Sequence, residues 1–144
     1  MLTAGHRLAI DYGDKWIGIA ISDSSGLIAS PVGRFLTEEL KSELEKIAAT
    51  KPISTIYLGF PIHLSGSEGQ SAEKVRHFAE KIREMGIAPV RLVDERFSTS
   101  SAAHDKESVK RFGIDAVAAV EILKFALDGE RLQRQPFGRS LDEK

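Results

Sequence analysis

The chain has 144 residues, 42% of them hydrophobic and 28% charged, a composition ordinary for one globular domain with a core of its own. Its 20 basic residues stand against 21 acidic ones, a net charge of −1. No whole-molecule field therefore draws it to nucleic acid, and any such affinity has to come from a local patch. The absence of cysteine excludes disulfides and thiolate zinc sites, fits a reducing compartment, and gives a cytoplasmic location as the expectation. No apolar run approaches the roughly 20 residues that cross a bilayer, and residues 1–6 lead into the first strand without a signal-peptide pattern.

Residues 6–12 and 16–22 read as a hairpin around Tyr12-Gly13-Asp14-Lys15, with Gly13 supplying the turn. Residues 27–35 form a third strand, which Pro31 marks as an edge strand or as one with a bulge. Thr37 caps a helix with Glu38 and Glu39 in its first turn, an apolar stripe of Leu40, Leu44, Ile47 and Ala48, and Pro52 just beyond its end. Residues 55–60 are a short buried strand, followed by a loop over 61–66. Ser67 with Gln70 makes a capping box for a helix in which Ala72, Val75, Ala79, Ile82 and Met85 recur at helical spacing, until Gly86 ends it. Residues 89–94 are a further strand and 98–105 a short helix. A basic stretch over 106–113 leads into a helix over 114–127 that is apolar on most of its faces and so should be well buried. The polar stretch 129–144 reads as a loose tail, which leaves residues 1–128 as the domain. Short turns make the first three strands antiparallel, and helical crossovers make the later ones parallel. The expected architecture is α/β: a mixed five-stranded sheet flanked by helices.

Three acids stand out against this pattern. Asp11 ends the run Leu8-Ala9-Ile10, Glu95 follows the strand that ends in Val93-Asp94, and Asp115 opens the last apolar helix. Carboxylates are depleted in strands, and burying one costs several kcal/mol or more unless it is paired, protonated or metal-bound. Asp115 also lies on the core-facing stripe, since counting by three and four from it meets Ala118, Ala119, Ile122, Phe125 and Ala126. Ala118 and Ala119 are small enough to let that helix lie close to the sheet. Competing readings are a first-turn capping Asp115 and a solvated Glu95 paired on the surface. Against the second, ligands of open α/β sheets gather at the carboxyl ends of parallel strands, and Glu95 is at one. Together Asp11, Glu95 and Asp115 offer only hard oxygen ligands, which suits Mg²⁺ or Mn²⁺ and not zinc. Two such ions about 4 Å apart can align a water and stabilise the leaving oxygen of a phosphodiester. His6, His63, His77 and His104 show no metal-ligand spacing.

Two further features bear on a polyanionic ligand. The loop Ser65-Gly66-Ser67-Glu68-Gly69 precedes a helix N-terminus, where backbone amides at Ser67 and Gly69 can hold a phosphate, or it is simply a helix cap. No Gly-Lys-Ser/Thr follows, so it is not a Walker loop. Lys106, Lys110 and Arg111, between two of the acids, are candidates for backbone contacts, whereas Lys74, Arg76, Lys81 and Arg83 read as a solvated helix face.

The segments Ala9-Ile10-Asp11-Tyr12-Gly13 with Gly18-Ile19-Ala20-Ile21-Ser22-Asp23, Gly59-Phe60-Pro61 with Gly66-Ser67-Glu68-Gly69, Val93-Asp94-Glu95-Arg96-Phe97-Ser98-Thr99, and Asp115-Ala116-Val117-Ala118-Ala119 with Ile122-Leu123 resemble, in order, the motifs of the YqgF/RuvX family. The likeness runs from about Leu8 to Leu127. It implies an RNase H-like fold, kinship with RuvC-type Holliday-junction resolvases, and a divalent-metal nuclease that trims the 5′ end of 16S rRNA precursors, with branched DNA as the alternative substrate. By motif position the catalytic acids and metal ligands would be Asp11, Glu95 and Asp115. The stretch from Phe97 to Ile114 is shorter than the family usually has. RNA is thus the expected partner, with no membrane, and a monomer or weak homodimer the expected state.

Two rivals belong to other classes. Asp11-x-Gly13 before a hairpin also resembles the first phosphate loop of the actin, sugar-kinase and chaperone ATPase superfamily, although those proteins clasp ATP between two lobes and 144 residues supply one. A non-catalytic RNA-binding or ribosome-assembly factor that kept the site is the other.

Overall fold

The computed structural model describes residues 4–60, 70–94, 107, 110 and 112–142. The hairpin forms as its pattern requires. Strands β1 (His6–Asp11) and β2 (Trp16–Ser22) pair antiparallel, with Leu8 opposite Ile21 and Asp11 opposite Gly18. β3 (Ala29–Leu36) pairs antiparallel with β2 and is the edge of the sheet. Pro31 has both of its expected consequences. The strand is an edge, and its register slips there: Ile19 faces Gly33 while Ala20 faces Pro31. One extra residue in a strand reverses the face taken by every later side chain. This bulge is what puts Arg34 opposite Gly18.

Helix α1 (Leu40–Thr50) leads to β4 (Ile53–Phe60), and α2 (Gln70–Glu84) precedes β5 (Val90–Asp94). β4 pairs parallel with β1, and β5 pairs parallel with β4. The last helix is α3 (Ile114–Gln133). Strand alternation sorts the core into two layers. Leu8, Ile10, Ile17, Ile19 and Leu58 face Leu44 of α1 and Val75, Ala79 and Ile82 of α2. Ala9, Ala20, Tyr57 and Val93 face Ala119, Ile122 and Leu123 of α3. Small residues on β1 and β2 bring α3 down onto the centre of the sheet, where it packs most heavily on β2.

Five expectations are corrected. The sheet has six strands, not five, in the order β3-β2-β1-β4-β5-β6. The sixth, β6 (Arg139–Ser140), pairs antiparallel with β5 and lies in the stretch expected to be a loose tail. α3 also runs six residues beyond Leu127. Gly129, where the polar tail was expected to begin, lies inside the helix and is a site of close approach: a Cβ there would lie 2.0 Å from the Phe137 ring. The helix ends instead at Arg134, in the left-handed conformation with φ 59°. The guanidinium of Arg91 then binds the carbonyls of Phe137 and Gly138 and ties the returning segment to β5. Gly13, too, is needed for space and not for a positive φ, since a Cβ would meet the Trp16 carbonyl at 2.5 Å. Thr37 does not cap α1. It starts a 3₁₀ turn (Thr37–Glu39), its hydroxyl donates to the Gly13 carbonyl at 2.7 Å, and its N–H donates to Lys15 O at 2.8 Å. Thr37 thereby pins the β1–β2 turn. Glu39 closes the turn by accepting the Leu36 N–H at 2.9 Å.

A buried polar network holds the opposite end of the sheet. Arg7 and Glu130 are only 4% and 3% exposed. The Arg7 Nε–H donates to Glu130 Oε1 at 3.0 Å, Tyr57 donates its hydroxyl to Glu130 Oε2 at 2.5 Å, and the Phe137 N–H donates to the Tyr57 oxygen at 3.0 Å. Burial, and then the Glu130 carboxylate, push the Tyr57 hydroxyl well above the usual phenol range. Between β2 and β3, Asp23 accepts the N–H groups of Leu27 and Ile28 and the Ser25 hydroxyl. The Ile28 and Ser25 bonds chiefly hold its carboxyl down to about 2. Among the described residues, no helix is long and apolar enough to cross a membrane.

Candidate active site

Asp11 is the last residue of β1, at the edge where the parallel strands β4 and β5 also end, in Phe60 and Asp94. It is two residues from Ala9, which packs against α3, so strand alternation sends Asp11 to the α3 side of the sheet. Its neighbour across the ladder is Gly18. Directly over Gly18 lies the first turn of α3: a Cβ on Gly18 would fall 1.8 Å from the Asp115 carbonyl oxygen and 2.5 Å from the Ala116 nitrogen. The absence of a side chain at Gly18 therefore seats the start of α3, and with it Asp115, beside the strand partner of Asp11. Both acids are partly buried. The stripe expected from Asp115 holds at Ala119, Ile122 and Ala126, which are buried, while Ala118 and Phe125 lie at its margin. The N-terminus of α3 brings partial positive charge to this edge and favours ionised carboxylates there.

Glu95 follows Asp94 in sequence and lies outside the described residues, as do Ser67, Gly69, Lys106 and Arg111. Lys110 is helical and exposed. The described residues alone bring no three potential metal-binding side chains together. Asp11 and Asp115 fit a hard divalent cation in kind: both are oxygen donors, brought to one sheet edge by a cradle that any Cβ would fill.

Arg34 and Trp16 were not singled out in the sequence. Arg34 completes the ladder row Arg34–Gly18–Asp11. Its guanidinium carbon lies 3.9 Å from the centroid of the Trp16 ring, and its side chain borders Gly113, the residue before α3. Lys15 approaches the same ring at 5.9 Å. A guanidinium stacked on indole keeps its N–H donors in plane and available to an anion. The proline-induced bulge was the available signal, because it decides which face Arg34 takes. Further along the edge, Arg76 and Arg139 lie 4.8 and 5.1 Å from the Phe60 ring, so the end of β4 is also flanked by positive charge.

Gly18→Ala tests this construction. The methyl would meet main chain, which cannot rotate away, so α3 has to lift. The expected cost is at least about 2 kcal/mol of stability, at the upper end of overpacking effects, together with loss of whatever depends on Asp115. A denaturant midpoint equal to that of the wild type would show that α3 does not rest on Gly18.

A sheet of this order, antiparallel then parallel and flanked by helices, is that of the RNase H-like class. The solved structure "T. thermophilus RuvC in complex with Holliday junction substrate" superposes with a TM-score of 0.57 over 88% of this chain and 95% of that one, at 12% identity, a likeness of fold. The chain belongs to the RuvX family, whose model, described as Holliday junction resolvase, matches residues 5–129. Among similar relatives, proteins named "Putative pre-16S rRNA nuclease" from Streptomyces coelicolor and Nocardioides sp. are each 39% identical to it. The first alignment covers 96% of this chain and 89% of the relative, the second 99% of both.

Proposed function

We propose that this chain is a nuclease that hydrolyses phosphodiester bonds with Mg²⁺ or Mn²⁺, acting in 5′-end maturation of the 16S rRNA precursor. The observation that supports this reading most is the seating of Asp115 over Gly18, the ladder partner of Asp11. Two carboxylates from distant parts of the chain share one edge there, an arrangement that a mere capping Asp115 does not require. The names of the curated relatives point to the same substrate. Asp11, Asp115 and Glu95 would hold the metal. When bound, a divalent ion lowers the pKa of water and offsets charge on the phosphoryl oxygens.

The chain's own residues then do the rest. Glu95 and Asp115 orient the attacking water: its oxygen bonds to phosphorus as the bond to the leaving oxygen breaks, its proton passes to solvent, and the leaving oxygen takes a proton from solvent. Arg34, exposed on the Trp16 ring, donates to a phosphate oxygen and holds the strand across the edge. Lys106, Lys110 and Arg111, between two of the acids in sequence, contact the backbone on either side, and the amides of Ser67 and Gly69 are a further phosphate contact.

The deciding experiment incubates the purified protein with a 16S rRNA precursor and with a four-way DNA junction in parallel, with Mn²⁺ and with EDTA. Cleavage of the precursor in Mn²⁺ alone is the expected outcome. Cutting of the junction and not the precursor would favour a branched-DNA resolvase, a reading that the family model's description supports. Absence of metal-dependent cleavage on both substrates would leave a non-catalytic RNA-binding factor.

Metal binding has a readout free of activity. Metal at about 100 times its Kd stabilises the fold that binds it by about 2.7 kcal/mol. For a domain of this size that raises the melting temperature by about 5–10 °C. Wild type should show this rise, and Asp11→Asn much less. In EDTA the variant should melt higher than wild type, because one of several mutually repelling carboxylates has lost its charge. Equal responses of the two proteins to metal would remove Asp11 from the ligand set.

A further inference from the structure

On the face of the sheet opposite the acids lies a groove of about 700 Å³ that the proposed chemistry does not use. Its walls are the β1–β2 turn, the 3₁₀ turn with the start of α1, and one side of α2. Its floor is aromatic: the rings of Tyr12 and Phe78 meet at 4.5 Å with 52° between their planes. Tyr12 is partly exposed and Phe78 buried. Its rim carries Lys15, Lys41, Lys74 and Lys81 against two carboxylates, Asp14 and Glu38. Lys74 and Asp14 are paired at 3.3 Å on the surface, while neither Lys41 nor Lys81 has an ion-pair partner among the described residues. A chain whose net charge is −1 has thus gathered an excess of cations around an aromatic floor. Lys74 and Lys81, read in sequence as part of a solvated face, belong to a concave wall.

We infer that this groove binds unpaired nucleotides of an RNA strand, with a base against Tyr12 and phosphates against Lys41 and Lys81. The chemistry selects a single strand. Aromatic rings reward a base that has left its stack, and lysines reward the backbone next to it. A duplex offers the groove only phosphates. Position selects the same ligand. Tyr12 directly follows Asp11, on the opposite face of the last residues of β1, so a strand crossing that edge leaves the acids and enters the groove. The inference rests on the nucleic-acid reading above and adds to it an unpaired flank beside the cleaved bond.

The test is binding of a fluorescein-labelled 12-nucleotide oligo(U), in EDTA so that no cleavage intervenes, with a blunt RNA duplex of equal charge in parallel. Lys41→Glu/Lys81→Glu, both exposed helix positions, should weaken oligo(U) binding at least tenfold and reduce the slope of log K against log salt by about 1.4, two contacts at about 0.7 each. Tyr12→Leu should weaken oligo(U) by about tenfold and leave the duplex unchanged. Circular dichroism confirms the fold of each variant, and the lysine pair decides the matter if Tyr12→Leu unfolds. Unchanged oligo(U) affinity in the lysine double variant overturns the proposal. So does displacement of oligo(U) by poly-glutamate at equal charge, which would make the groove an unselective polyanion surface. A protein that loses oligo(U) affinity on these changes but cleaves nothing would refute the nuclease reading and leave the groove standing.

Discussion

Asp11→Asn and Asp115→Asn are each expected to lose more than about nine-tenths of the cleavage rate, at least about 1.4 kcal/mol of transition-state stabilisation, with the fold intact. Asn keeps the shape of Asp and removes the charge and one oxygen acceptor, so the change reports on chemistry and little else. The placement supports the size of the effect. Asp11 is a carboxylate on the helix-covered face of a central strand, and Asp115 sits where main chain from helix and sheet nearly touch. A residue that only favoured the first turn of α3 by its charge would cost about 0.3–1 kcal/mol of stability as Asn and leave the cleavage rate alone. The assay is initial rate on the precursor in Mn²⁺, with the Asp11→Asn/Asp115→Asn double variant purified alongside as the measure of contaminating nuclease. A single variant that retains more than about a tenth of the wild-type rate removes that residue from the catalytic set.

The largest effect on stability should come from the other end of the same strand. Arg7→Met leaves the Glu130 carboxylate, 3% exposed, with only the Tyr57 hydroxyl as side-chain donor among the described residues. Breaking a buried pair from one side costs about 3–5 kcal/mol, because the surviving charge stays out of water. Arg7 also donates to the Gly5 carbonyl at 2.6 Å, so the start of β1 loosens as well. Arg7→Met/Glu130→Leu should recover part of the loss, since no charge remains buried. Recovery is incomplete because the Tyr57 hydroxyl then lacks its acceptor. Urea midpoints at constant slope measure both changes. A loss below about 1 kcal/mol in Arg7→Met would mean that the pair reaches water and is worth no more than a surface bridge. Arg7 lies about 13 Å along the strand from Asp11, at roughly 3.3 Å per residue, so the folded variant should cleave at an unchanged rate per molecule.

These two ends of β1 differ in how much the sequence discloses. Asp11 is legible because a carboxylate interrupts an apolar run, and an interruption is a one-dimensional signal. Asp115 is legible for a similar reason, as it begins a helix whose apolar spacing includes it. The Arg7–Glu130 pair is separated by 123 positions, and nothing local marks either member. In sequence Arg7 is one charged residue within the first strand, and Glu130 is one in a polar tail. The same holds for the groove: Tyr12, Lys41 and Lys81 come from three elements, and only the packing of α1 and α2 against the β1–β2 turn makes them neighbours.

Glycine shows the division most plainly. Gly86 acts as its position suggests, with φ +70° just past the end of α2. Gly13, Gly18 and Gly129 are needed for another reason, a second segment passing where a Cβ would stand. A sequence records that a side chain is missing but not what fills its place. Hence the sequence places the end of α3 at Leu127, and it misses the docking of 137–140 that adds a sixth strand.

By itself the sequence determined the α/β class, the antiparallel-then-parallel sheet, a third strand that Pro31 makes an edge or bulges, and the family, because hydrophobic period, turn residues and motif order are properties of neighbouring positions. The tertiary structure alone decided that Asp115 rests over the partner of Asp11, that Arg34 joins their row, that Arg7 and Glu130 are buried together, and that lysines from α1 and α2 surround an aromatic floor. Each of these depends on which distant segments touch. That is set by complementary shape and by the cost of burying unpaired charge, and neither can be read from residues adjacent in the chain.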